Sequence, residues 1–141
     1  MTGWRSFDVD HINYVINHPD CIKGATLGKG PVDASILVNN PDNYCLFDEH
    51  GGFVLVKESE GHYSAHTQFL KSGRGPETVR KAREAVQWMF KNTPCKVIST
   101  FCANDNAAAR LLTLRAGFRP TGPSRMLDVD GTEYQITKPE S

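Results

Sequence analysis

The chain has 141 residues, a length that suits one domain. Hydrophobic residues make up 39% and charged residues 23%, a globular balance that excludes a disordered chain and a coiled coil. The 16 basic and 16 acidic side chains cancel, yet residues 1–70 hold four Lys/Arg against nine Asp/Glu, and residues 71–141 hold 12 against seven. The domain as a whole is not basic, and its aromatics do not interleave with its cations, which argues against nucleic-acid binding. No apolar run is long enough for a membrane span, and no basic-then-apolar leader is visible. Cys21, Cys45, Cys95 and Cys102 form no CxxC pair, so a zinc ribbon and a thioredoxin-like site are excluded. A reducing compartment, the cytoplasm, is the expected location.

Residues 8–17 are predicted to form a short helix. Asp8 or Asp10 can cap it, and Ile12, Val15 and Ile16 fall at i, i+3 and i+4. His18, Pro19 and Asp20 stop it. Residues 23–42 are rich in Gly, Pro and Asn and are predicted as loop around one strand, 34–38. Two strands follow, 44–48 and 52–57, joined as a hairpin through His50, Gly51 and Gly52. A third strand, 63–70, alternates Tyr63, Ala65, Thr67 and Phe69 with Ser64, His66, Gln68 and Leu70.

Residues 76–92 carry the strongest helical signal. Pro76 suits the first helical position, and Glu77 favours the positive end of the helix dipole. Val79, Ala82, Val86, Met89 and Phe90 make the apolar stripe, which places Trp88 and Met89 in the core or at the helix edge. Residues 96–102 are predicted as a buried strand, and 106–116 as a helix capped by Asn104 or Asp105, with Ala109, Leu112 and Ala116 on one face. Gly117 supplies its left-handed stop. Strands at 118–121 and 125–129 follow, and Asp130 and Gly131 are expected to turn the chain into a last strand, 133–137. The strand–helix–strand portion predicts a right-handed crossover with parallel neighbours, hence an α/β domain with a mixed sheet.

The cations Lys71, Arg74, Arg80, Lys81 and Arg83 cluster where the third strand leads into the long helix. Such a cluster suits a polyanion; it equally describes a solvated helix face. At the same place, the strand 63–70 is followed by Arg74, Gly75 and the helix. Further on, Asn106, Ala109, Gly117 and Phe118 stand in the spacing N-x-x-A-x7-G-F. Together these resemble the Gcn5-related N-acetyltransferase (GNAT) superfamily over roughly residues 8–137, and "INHPD" and "WMFKNTPCKVI" resemble small phage-encoded members.

The resemblance implies one GNAT-like domain over 1–141, whose mainly antiparallel sheet contains a splayed parallel pair that receives the pantetheine of acetyl-coenzyme A. It implies cofactor contacts from Phe69, Leu70, Lys71, Ser72, Gly73, Arg74, Gly75, Glu77 and Thr78, with the pyrophosphate at the helix N-terminus. Asn106, with Ala109, would serve the pantetheine arm. The acceptor would be an amine. The family loop, Q/R-x-x-G-x-G/A, aligns with its first position on Arg74, putting Glu77 and Val79 where small residues are expected, or with its glycines on Gly73 and Gly75, putting Leu70 first. Many members carry a tyrosine seven residues after the helix asparagine to protonate the departing thiolate; here Thr113 stands there. Tyr63, Tyr134 or water remain as alternatives.

His66, on the strand that faces the acceptor in this fold, is the candidate base, with Gln68 beside it to orient the amine. Either is also an ordinary hydrogen-bonded strand residue. Glu58 is a second candidate base. Cys102 is a buried inert thiol or a neighbour of the thioester. His18 and Cys21 have ligand-like spacing, but no second pair completes a four-ligand set, and no metal is expected. If the chain is catalytically silent, its partner would be a phage or host protein. A homodimer through an unpaired sheet edge stays open.

Overall fold

The computed structural model describes residues 4–21 and 31–139. Of the loop expected at 23–42, residues 23–30 lie outside the described residues. The strands form a six-stranded sheet of order β1-β2-β3-β4-β6-β5. These are β1 (Tyr44–Asp48), β2 (Gly51–Ser59), β3 (His62–Phe69), β4 (Val97–Ala103), β5 (Arg119–Met126) and β6 (Val129–Thr137). β3 and β4 run parallel, and the β1–β2, β4–β6 and β5–β6 pairs are antiparallel, as the mixed sheet anticipated from sequence requires. By its contacts the chain divides into two compact units, Met1–Lys57 with Ala65–Gly75, and Glu58–Ser64 with Pro76–Ser141.

In the first unit, α1 (Val9–Asn17) starts at Asp8, whose carboxylate accepts the His11 N–H at 3.1 Å. Its buried face is the anticipated triplet Ile12, Val15 and Ile16. These pack with Cys21, Ala34, Val38, Cys45, Phe47 and Val54 in one apolar cluster. Residues 34–38 are not the expected strand but a short helix, α2 (Ala34–Val38). Asp33 caps it by accepting from the Ser35 N–H and hydroxyl. Asn13 and Asn17 on α1 bind the backbone of Ala34 and Val32, so the segment is fixed from both sides. β1 and β2 pair from Tyr44↔Leu55 to Asp48↔Gly51, which makes Glu49 and His50 the two turn residues. The outer edge of β1 is covered by the chain before α1: Ser6 donates to the Cys45 carbonyl at 2.8 Å, and Phe47 donates to Trp4 at 3.1 Å.

In the second unit, the long helix α3 spans Pro76–Asn92, the bounds expected from sequence. Ala82, Val86, Met89 and Phe90 are buried as anticipated; Thr78 and Ala85 join them, while Val79 is only half-buried. β4 is closed on both faces at Ile98 and Ser99. α4 (Ala107–Arg115) is capped by Asn106 rather than by Asn104 or Asp105. β5 is one strand where two short ones were expected. It turns into β6 at Leu127 and Asp128, both with positive φ, and not at Asp130 and Gly131. Gly131 lies inside β6, where a Cβ would strike the Cys102 carbonyl and the Phe101 ring. β5, the outer strand, contains Pro120 and Pro123, which have no N–H to offer another strand.

Candidate active site

In the first unit, β3 ends at Phe69 and the chain makes a single tight turn over Lys71–Gly73. Two neighbours hold this turn. On one side the Leu70 N–H donates to the His50 carbonyl at 2.9 Å, and His50 Nδ1 meets the Ser72 hydroxyl at 3.1 Å. Gly73 is required here: a Cβ would sit 2.5 Å from the His50 Cβ. On the other side Asp20 accepts the Lys71 N–H on its carboxylate at 2.9 Å. This bond holds the Asp20 carboxyl below the usual carboxylate range.

Arg74 is largely committed to structure. Its Nε donates to the Phe69 carbonyl at 3.1 Å, and its Nη2 donates to the Asp20 carbonyl at 2.6 Å. Phe69 O also accepts the Cys21 thiol at 3.2 Å, so the end of β3 is tied to the exit of α1. Gly75 has φ +138° and nothing within 4 Å of a Cβ built on it, so its backbone is open to an incoming group.

In the second unit, Glu77 is paired. Arg80 bonds its carboxylate through both Nε and Nη2 and bonds Glu84 through Nη1. These contacts, the Arg80 hydrogen bond first, lower the Glu77 pKa. Arg83 gives Nε and Nη2 to the Arg115 carbonyl at the end of α4, at 2.9 and 2.6 Å. At least three of the five clustered cations therefore have internal acceptors. The count of charges overstated what is left for a polyanion.

The asparagine motif has a local account. Asn106 Oδ1 accepts the Ala109 N–H at 3.0 Å as the N-cap of α4. Gly117, at φ +104°, donates to Leu114 O, and Phe118 donates to Thr113 O, the Schellman pattern that closes the helix. The side-chain nitrogen of Asn106 makes no hydrogen bond among the described residues. Thr113 is buried; its hydroxyl donates to Ala109 O at 2.8 Å and lies 3.4 Å from the Cys102 thiol. Burial pushes the Cys102 thiol up, the behaviour of an inert buried thiol. The four cysteines are free and buried, and burial lifts Cys45 and Cys95 to about 11.

His66 is half-buried on β3 and Gln68 is buried near its end. Glu58 accepts the Ser64 hydroxyl at 2.7 Å. Tyr63 and Tyr134 are buried at 3% and 5% exposure. His18 Nδ1 accepts the Asp20 N–H at 3.0 Å. Among the described residues no group of three or more His, Cys, Asp or Glu could hold a metal ion, and no helix is long and apolar enough to cross a membrane. One pair escaped the sequence reading: His62 Nε2 lies 2.8 Å from the Ser99 hydroxyl. The two are 37 residues apart, and only the parallel register of β3 and β4 brings them together.

No family model matches the sequence, and no curated protein matches it. Solved structures do. A GNAT-family acetyltransferase from Bacillus anthracis superposes with a TM-score of 0.72 at 20% identity, over 94% of this chain and 92% of that one. A spermidine N-acetyltransferase from Vibrio cholerae, in complex with CoA and spermine, gives 0.75 at 12% identity, over 92% and 89%. An aminoglycoside acetyltransferase in complex with coenzyme A and kanamycin gives 0.68 at 15% identity, over 93% and 90%. At these identities the likeness is one of architecture, and it spans nearly the whole chain: this protein has the fold of the GNAT acetyltransferases.

Proposed function

We propose that the protein is an acetyl-coenzyme A-dependent N-acetyltransferase that acetylates a primary amine by direct attack on the thioester. The observation that carries this reading is a fold shared over about nine-tenths of both chains with acetyltransferases, two of them in complex with coenzyme A. The residues at the expected pyrophosphate position fit that group. Gly75 offers open backbone, and Lys71 is exposed beside it. The Glu77 carboxylate is paired with Arg80, a guanidinium that it shares with Glu84. The N-terminus of α3 adds its dipole.

In this reading Lys71, Ser72, Gly73, Gly75 and the first turn of α3, Glu77 and Thr78, receive the pyrophosphate. Arg74 fixes the loop that does so. In the first unit Phe69 and Leu70 are the residues for the pantetheine; in the second, Asn106 keeps an amide nitrogen that makes no hydrogen bond among the described residues, while its Oδ1 accepts the Ala109 N–H. His66 borders the attacking amine and Gln68 orients it. The Thr113 hydroxyl donates its hydrogen bond to the Ala109 carbonyl, and the departing thiolate is protonated by solvent. The excess of acidic residues in the first half favours a cationic acceptor, of the kind represented by spermine and kanamycin in the neighbours.

The internal engagement of Thr113 supports a second reading, a non-catalytic module that binds a phage or host protein. Calorimetric titration with acetyl-coenzyme A, followed by acetyl transfer to polyamines, aminoglycosides and peptide N-termini, separates the two. Saturable binding with turnover supports the enzyme. The absence of heat at high micromolar ligand rejects it.

A further inference from the structure

We propose that Ser99 and His62 form the proton relay of this transfer, an inference that rests on the acetyl-transfer reading. Ser99 is 6% exposed and half-buried His62 has its Nε2 2.8 Å from the Ser99 hydroxyl. The parallel ladder runs from His62↔Val97 to Ser64↔Ser99, so Ser99 sits at its closing rung. Strand alternation puts His62, Ser64 and Ser99 on one sheet face, with Gln135, the β6 partner of Ser99, and Glu133. The opposite face carries Tyr63, Ile98 and Tyr134, all at most 5% exposed, and is an ordinary apolar core.

The polar face is hydrogen-bonded in pairs. Ser64 donates to Glu58 at 2.7 Å, Gln135 donates to Glu133 at 3.1 Å, and Ser99 meets His62. Sequestering a hydroxyl and an imidazole from water is unfavourable unless they are paired, and a valine at position 99 would avoid the cost. A serine hydroxyl alone is too weak a base to take a proton near neutral pH. Coupled to an imidazole, the side chain whose unperturbed pKa lies near neutrality, it can pass one. Among the described residues the titratable groups on this face include Glu58 on β2, His66 on β3 and Glu133 on β6, and Lys96 packs beside Gly61 at the strand entrance.

The step balances as follows. The amine nitrogen forms its bond to the acetyl carbon as the carbon–sulfur bond breaks. The amine proton passes to Ser99 Oγ while the Ser99 hydroxyl proton passes to unprotonated Nε2 of His62. The thiolate is protonated from solvent, and His62 returns its proton there. His62 acts through Ser99 and is a positioning and relay group.

The test compares wild type, Ser99→Ala, His62→Gln and Ser99→Thr, with spermine and kanamycin as probe amines. Acetyl-coenzyme A titration and thermal melts report folding and cofactor affinity separately. Expected is a fall of about 10²-fold in kcat/KM for Ser99→Ala and His62→Gln, unchanged acetyl-coenzyme A affinity, and near wild-type transfer by Ser99→Thr. Folded variants that keep wild-type kcat/KM overturn the relay alone. If the variants do not fold, a proton inventory of the wild-type enzyme decides: a bowed plot supports two protons moving together, and a straight one overturns the relay. A wild type that binds acetyl-coenzyme A but acetylates no probe amine overturns the transfer reading and the relay with it.

Discussion

Arg74→Lys separates two accounts of the loop that the cation count alone cannot. If Arg74 matters for its charge, lysine keeps it. In the structure, however, the guanidinium bridges two carbonyls, Phe69 O at 3.1 Å through Nε and Asp20 O at 2.6 Å through Nη2. A lysine ammonium is a point donor on a flexible stem and cannot span both at once. Hydrogen bonds from a charged group contribute about 1.5–3 kcal/mol each when shielded. These lie at a largely exposed side chain, so losing the bridge should cost about 1–2 kcal/mol in total. For a domain of this size that is a fall of roughly 3–6 °C in Tm. Urea unfolding at neutral pH measures it, and acetyl-coenzyme A calorimetry on the same samples reports whether the loosened loop also loses affinity. A lysine variant with the wild-type midpoint and wild-type affinity would refute the staple and restore the simple charge account.

Gly73→Ala should destabilise by about 1–3 kcal/mol through overpacking, because the new methyl meets His50 Cβ at 2.5 Å and Phe69 Cδ1 at 3.1 Å; an unchanged urea midpoint would mean the His50 turn yields freely. For Asp20 the pKa is lowered in the folded state from 3.8, first by the Lys71 N–H. Its charge therefore stabilises the fold above that value, and the contribution is lost as pH falls through the lower folded one. The stability gap between wild type and Asp20→Asn should accordingly hold at neutral pH and shrink as pH falls below 3.8; a gap that widens in acid contradicts the assignment. Leu127→Asn should raise the unfolding free energy measured in urea by about 0.5–1 kcal/mol, since Leu127 turns the β5–β6 hairpin at φ +48° and is 53% exposed; a lower stability would show that the leucine has a role the turn geometry does not explain.

The elements legible in the sequence are those whose signals are local. α3 has Pro76 at its first position and an unbroken apolar stripe, and its bounds follow from these alone. α2 was misread because Ala-Ser-Ile-Leu-Val looks like a strand. Its buried residues, Ala34 and Val38, stand four apart, and Ile36 between them is 72% exposed, which is helical spacing. The capping signal, Asp33 before Ser35, was there to be read; the bonds from Asn13 and Asn17 were not. At the last hairpin, Asp130-Gly131 is a strong turn dipeptide in isolation. Close approach of the β4 backbone claims that glycine for the strand, and the turn moves to Leu127 and Asp128.

The candidate site divides in the same way. N-x-x-A-x7-G-F is legible because most of it is a helix with both ends sealed: an N-cap, the residue whose N–H it receives, and a left-handed glycine followed by an apolar residue. The spacing therefore predicts α4 whether or not anything binds there, and only the spare amide nitrogen of Asn106 is left to argue for a ligand. The cation cluster is the converse. Its residues are adjacent in sequence, but what they do is set by acceptors far away, Asp20 for Arg74 across 54 residues and Arg115 for Arg83 across 32. With three arginines so engaged, the electrostatic case for a bound pyrophosphate shifts from side chains to the backbone. It then rests on the open Gly75, the first turn of α3 and Lys71. This is why a charge-conserving change at Arg74 is more informative than a charge reversal, which would weaken binding under either account.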